Sequence, residues 1–137
     1  MLYMIRYIYI ALAFVFQLPV DAQTLRDKNN MTIGKIESDG TILNSYNMKI
    51  GCFDRNNVIR DANNNKVGSI DGGIIRDKSN MKVGSIERSG IVRDASNMII
   101  GSIESNGTVR DKSNMKIGSA EGVNQTHAAV FYFFKLF

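Results

Sequence analysis

The chain has 137 residues, 44% of them hydrophobic and 22% charged, the composition of one ordinary folded domain rather than of a disordered or collagen-like chain. Its net charge is +4, but lysines and arginines alternate with aspartates at fixed intervals instead of forming the clustered basic patch that a nucleic-acid partner requires. One cysteine, Cys52, excludes an internal disulfide, and one histidine, His127, leaves no ligand set for structural zinc and no material for a catalytic triad.

Residues 1–22 differ from the rest. Arg6 precedes an apolar run from Tyr7 to Phe16, followed by Pro19 and by small residues at Val20 and Ala22, the layout of a secretory signal peptide cleaved before Gln23. Counted from Met1, the apolar stretch also approaches the roughly 20 residues of a membrane span, so an uncleaved anchor is the alternative.

From Thr24 to Val123 one phrase recurs six times, as Thr24–Gly40, Thr41–Asn57, Val58–Gly73, Ile74–Gly90, Ile91–Gly107 and Thr108–Val123. A short fixed period without insertions predicts a repeat domain over residues 23–123. Each copy of about seventeen residues reads as two strands and two turns. A β-branched stretch such as Thr108-Val109-Arg110 runs into Asp-x-x-Asn, as in Asp94 to Asn97. The aspartate accepts a backbone N–H two residues on, and the asparagine tolerates the left-handed conformation that closes the turn. The second strand, such as Met81 to Glu87, leads to a turn in which a glycine such as Gly90 takes that left-handed position. No segment of the repeats is long enough for a stable helix. The expected fold is all-β, a hairpin meander forming a closed or stacked barrel-like domain.

Within the second strand a glycine recurs at Gly34, Gly51, Gly68, Gly84, Gly101 and Gly118. Strict alternation would put Ile33 and Ile36 on opposite faces. A bulge at the glycine restores the parity and predicts that Met31, Ile33 and Ile36 share a buried face; a bend between two sheets is the other option. Cys52 stands where other copies have Ser69, Ser85, Ser102 and Ser119, and reads as a filler of serine size. Arg26, Arg60, Arg76, Arg93 and Arg110 precede the turns and would form a regular array. Such an array is either a solvated Arg–Asp face, each pair worth at most about 1 kcal/mol, or a candidate binding rim for a sugar or an anionic polymer.

Residues 124–137 hold every aromatic residue after Gln23 except Tyr46 and Phe53. Rings bury more area than other side chains, so this tail is expected to be a closing strand packed into the repeat core. An exposed edge strand pairing two copies into a homo-oligomer is the rival. Outer-membrane barrel strands need about nine to eleven residues, and these are shorter.

The repeated phrase, seen in Ile36–Thr41 and Thr108–Gly118, and the ending Glu121-Gly122-Val123 followed by Ala128–Phe134 resemble the secreted bacterial five-fold β-flower proteins. The resemblance spans essentially the whole chain after the signal peptide. It implies an all-β repeat fold exported to the Gram-negative envelope or exterior, with no established activity. Six copies stand here where the name says five.

The residues offer no cofactor, metal or catalytic site. Equivalent carboxylates in equivalent repeats cannot supply the acid and base of split pKa that catalysis needs, and the glycine-rich nonapeptide of calcium β-rolls is missing. Asn30, Asn106 and Asn124 begin Asn-x-Thr triplets, which matter only in a eukaryotic secretory pathway. The expected protein is a non-enzymatic structural or interaction module, secreted, periplasmic or at the cell surface; its partner is left open between an envelope protein and a glycan. The alternative is a carbohydrate-binding or adhesive module whose repeated polar face takes a glycan.

Overall fold

The structure is a computed structural model and describes residues 23–137; the expected signal peptide of residues 1–22 lies outside the described residues. Twelve antiparallel strands make up the repeat region: β1 (Gln23–Asp27), β2 (Thr32–Ile36), β3 (Thr41–Asn44), β4 (Lys49–Phe53), β5 (Val58–Asp61), β6 (Lys66–Asp71), β7 (Ile74–Asp77), β8 (Lys82–Ile86), β9 (Ile91–Asp94), β10 (Ile99–Ile103), β11 (Thr108–Asp111) and β12 (Lys116–Ser119). Each sequence repeat is one hairpin. The six hairpins follow one another around a closed barrel in which β12 pairs with β1. Closure leaves no edge strand exposed.

The turns form as the side chains dictate. Asn30, Asn47, Asn64, Asn80, Asn97 and Asn114 have φ between 66° and 69°. Asp27 Oδ1 accepts from the backbone N–H of Asn29 and of Met31 at 2.9 and 3.0 Å, and Asn44 serves in the divergent second copy through its amide oxygen. At the other end of the barrel Gly40, Gly90 and Gly107 take φ values of 92°, 94° and 92°. The third copy is one residue shorter, and its Gly72-Gly73 closes a two-residue hairpin with Asp71 opposite Ile74.

Every hairpin carries a bulge, one residue earlier than expected. Leu25 pairs with Gly34 and Arg26 with Thr32, which leaves Ile33 as the extra residue. The same omission falls on Ile50, Val67, Val83, Ile100 and Ile117. The extra residue resets the alternation, so Ile33 packs against the core together with Ile36. Met31 does not join them. It lies in the turn before the bulge and is 65% exposed, as are Met81, Met98 and Met115, which corrects the expected shared face.

Inside the barrel, Leu25, Ile42, Ile59, Ile75, Val92 and Val109 form a ring without solvent exposure, one residue from each hairpin. Fully burying such a side chain contributes about 1.5–3 kcal/mol. The rest of the interior is filled by the tail, and here the expectation of a closing strand is overturned. Residues Gln125–Ala129 form a helix, α1, capped by the Asn124 side chain, and Val130–Phe134 continue it as a π-helical segment. Ala128, Ala129 and Val130 are fully buried along the barrel's interior. The tail is a plug, and barrel closure comes from β12 on β1. An edge strand for pairing two copies is therefore not provided by the tail.

The strand glycines explain the plug. A Cβ at Gly34 would lie 2.9 Å from the Phe131 ring, one at Gly118 2.7 Å from Tyr132, and one at Gly101 2.5 Å from Phe133. Gly84 stands in the same way under Phe134, Gly68 under Leu136 and Gly51 under Phe137. Each hairpin thus lends one glycine as a seat for one tail side chain, in order around the barrel. Neighbouring seats are a sixth of a turn apart. An α-helix, with about 3.6 residues per turn, advances its side chains faster than that. Widening to i→i+5 bonding, as in Lys135 N–H to the Val130 carbonyl, brings the advance closer to the spacing of the seats. Lys135 then turns left-handed at φ 45°, ending the helical segment, and Leu136 and Phe137 take the last two seats.

The seam between β1 and β12 is short, pairing only Arg26 with Ser119 and Asp27 with Gly118. Tyr132, the one hydroxylated ring among the seated side chains, sits there. Its hydroxyl donates to the Arg26 carbonyl at 2.6 Å and lies 2.9 Å from the Ser119 carbonyl. Burial pushes its phenol pKa up to about 12. Replacing Tyr132 with phenylalanine leaves both carbonyls without this partner and is expected to lower the unfolding free energy by about 1–2 kcal/mol in a denaturant titration. Gly84→Ala would push a methyl into the Phe134 ring and the Arg93 carbonyl together. A loss of about 2–3 kcal/mol or more is expected there in the same denaturant titration.

Candidate functional site

The five arginines of the expected rim lie on the outer wall. Nη1 of Arg26, Arg60, Arg76, Arg93 and Arg110 donates to the carbonyl of the turn asparagine four residues on, at 3.1 to 3.3 Å. Their acidic partners are not the adjacent aspartates. Arg93 Nε meets Glu87 at 2.6 Å, Arg110 Nε meets Glu104 at 2.5 Å, and Arg60 Nε meets Asp54 at 3.2 Å, in each case six residues back. In the shortened third copy that position is Ile70, and Arg76 has only the turn carbonyl. These half-exposed pairs are each worth at most about 1 kcal/mol. The arginines are thus brought into an array, each one already committed to a turn.

The outward face carries these arginines and the serine positions, and the apolar face is turned inward. That is the reverse of a barrel that presents an apolar belt to lipid along its wall. No helix among the described residues is long and apolar enough to cross a membrane. Cys52 is a free thiol, half-buried at a serine position of the wall.

The distinctive surface is the end that holds the Asp-x-x-Asn turns. Met31, Met48, Met81, Met98 and Met115 crown it, each 63–65% exposed, with Tyr46 and Ile99 beside them. Inside this crown lies a bowl of about 460 Å³ lined by Ile33, Ile50, Ile117, Phe131, Tyr132, Lys135 and Phe137. The bowl exists because the bulges turn Ile33, Ile50 and Ile117 inward and the plug stops short of the mouth. Lys135, held left-handed at the end of the π-helical segment, is the exposed charge in it.

Charge is divided between the two ends. Lys28, Lys78 and Lys112 stand in the methionine-bearing turns and Lys82 and Lys116 follow the methionines, while no glutamate lies at this end. The acids there are the turn aspartates, each folded back on its own turn; the carboxyl of Asp61 is held below its ordinary value first by the Asn65 N–H. The opposite end carries Glu37, Asp39, Asp54, Asp71, Glu87 and Glu104 against Arg55 and Arg88.

The methionine crown is what sequence reasoning missed. Period-two patterning assigns an apolar residue at a strand start to the core. The available signal was Asn65, which replaces methionine in the third copy and shows the position tolerating a polar group. Among the described residues no group of His, Cys, Asp and Glu is placed to hold a metal ion.

At the acidic end, His127 on α1 stacks flat on Phe53, with ring centroids 3.9 Å apart and planes 2° from parallel. Phe53 stands where four of the other copies have isoleucine and the sixth has Ala120. Burial holds the His127 imidazole below its ordinary pKa of 6.5, and Glu37 shares its surroundings. Above pH 6.5 the ring is neutral folded and unfolded. As the pH falls below 6.5 the unfolded chain takes up a proton that the folded chain resists, so stability is lost in that window. Melting temperature measured from pH 7.5 down to about pH 5 should fall for the native chain and fall less for His127→Gln.

No curated protein matches the chain, and no solved structure does. The family described as 5-fold beta-flower protein matches residues 20–136, most of the chain. The count in that description differs from the structure by one, since all six copies here form complete hairpins. With its tandem hairpins, its seated tail and this match, the chain belongs to the 5-fold beta-flower protein family.

Proposed function

We propose that this protein is a non-enzymatic interaction module, exported to the envelope, the cell surface or the medium, which works through one end of its barrel. The observation that carries this reading is the crown of five exposed methionines around an apolar bowl. Monomeric proteins seldom expose contiguous apolar surface of this kind without a use for it. Methionine suits such a use, being flexible and polarisable enough to fit an irregular partner. The barrel behind the crown is closed, bulged at six equivalent places and plugged, so the methionines are presented on a rigid base. Export rests on the signal-peptide reading of residues 1–22 and on the exterior setting that the family resemblance implies.

A carbohydrate-binding role for the polar wall is the weaker reading, because the arginines of that wall already donate to turn carbonyls. Binding to a glycan array, lost in Arg93→Ala, would favour it over an interaction through the methionine end.

Oxidation footprinting tests the crown without naming a partner. The five crown methionines should be oxidised by dilute hydrogen peroxide in the purified protein and protected in the protein as it sits in freshly prepared producing cells or their medium. Equal oxidation in both settings would show the crown to be uncovered and would sink the proposal.

A further inference from the structure

We infer that the methionine end docks on an anionic lipid bilayer surface, an inference that rests on the interaction-module reading and names its partner. All the large apolar side chains left exposed among the described residues lie at this one end: Met31, Tyr46, Met48, Met81, Met98, Ile99 and Met115. They stand on five of the six turns of a closed ring, Asn65 taking the place in the third, and so form a face at the barrel mouth rather than a groove. Lysines alternate with them: Lys28 precedes Met31, Lys78 precedes Met81, and Lys112 precedes Met115, with Lys82 and Lys116 immediately after. Lys135 stands in the bowl at the centre. The acids of this end are the five turn aspartates, each bonded to backbone N–H groups of its own turn, against eight lysines. An apolar face with such an excess of lysine has the chemistry of surfaces that settle at the headgroup boundary, with apolar tips below the phosphates and ammonium groups among them.

The charge division along the barrel selects this occupant over a second copy. Two methionine ends brought together would set lysines against lysines. A methionine end laid on the opposite end of another copy would meet opposite charge at Glu37, Asp54, Glu87 and Glu104, but none of the exposed large apolar residues lies there to cover the methionines. An anionic bilayer supplies both requirements, negative charge at the surface and hydrocarbon beneath it. The same division orients the approach, because the acidic end is repelled by that surface while the lysine-bearing end is drawn to it. Docking of this kind is peripheral and reversible. The strands are short and the wall is polar, so the barrel rests on the membrane and does not span it.

Vesicle flotation tests the inference. The protein without residues 1–22 is used, since its twelve strands and plug form a closed core and an apolar leader would bind lipid by itself. It should float with phosphatidylcholine vesicles that contain phosphatidylglycerol, roughly tenfold more than with phosphatidylcholine alone, and less as salt is raised. The triple variant Met81→Ser, Met98→Ser, Met115→Ser and the pair Lys112→Glu, Lys116→Glu should each lose most of that binding while melting like the native chain, because these side chains are exposed. Glu37→Ala at the far end should float as the native chain does. Failure to float with either vesicle would overturn the lipid assignment, as would full binding by the methionine variant. Sedimentation run in parallel identifies self-association, and a dimer abolished by the methionine variant without flotation would also overturn it. Methionines protected from oxidation in the native setting, together with absent vesicle binding, would leave the interaction module standing and assign its partner to protein instead.

Discussion

The structure depends on a fit between six empty places and six side chains. A barrel of hairpins this small leaves an axial space that its own aliphatic side chains do not fill at the level of the strand glycines. Interiors pack to the density of organic crystals, so that space must be occupied by something of the right shape. The tail supplies it with five aromatic rings and a leucine, one against each of Gly34, Gly51, Gly68, Gly84, Gly101 and Gly118. Neither partner makes sense alone. Six glycines facing inward would leave a void, and a tail of adjacent aromatic residues would be insoluble outside the barrel. This mutual requirement accounts for the unusual backbone of the tail, since a π-helical segment and a left-handed Lys135 let consecutive residues visit consecutive seats.

The same fit organises the two ends. Where the plug enters, Phe53 and His127 stack, Gln125 donates to the Ile103 carbonyl, and the loops are acidic and glycine-bearing. Where it stops, the bulged residues Ile33, Ile50 and Ile117 are left without a covering layer, and the bowl results. A repeat with internal symmetry would otherwise have two equally plain ends. The asymmetry of this molecule comes from the single non-repeated segment and from the two kinds of turn that each repeat contains.

The parts of this architecture governed by local chemistry were legible in the sequence. An aspartate that accepts two backbone N–H groups and an asparagine at positive φ are dictated within five residues, and the left-handed asparagines fall where Asp-x-x-Asn predicts. What was not legible depended on residues distant in the chain. The bulge falls on Ile33 rather than Gly34 because the glycine is needed flat beneath Phe131, a contact ninety-seven positions away along the sequence. The tail reads as a strand because phenylalanine, tyrosine and valine favour strands, yet it is apolar all round, as buried helices are, and only the seats decide between the two. Local propensity is a weak prior where tertiary packing has a specific shape to fill.

The methionines illustrate the opposite error, in which a core position was expected at the surface's edge. Met98 is apolar and begins a strand, but its backbone carbonyl accepts from the Asp94 N–H and its own N–H is held by the Asp94 carboxylate. The residue is part of the turn before it is part of the strand, and the turn geometry points it out of the barrel. An arginine five residues earlier in the chain, Arg93 donating to the Asn97 carbonyl, locks the same turn from the wall side. The arginines that looked free for a ligand therefore hold the turns, and the methionines that looked structural are the ones those turns display. Any partner that meets this end meets side chains whose backbone is fixed by an aspartate on one side and an arginine on the other. Little ordering of the backbone would then remain to be done on binding, which favours association through a modest apolar area repeated around a ring.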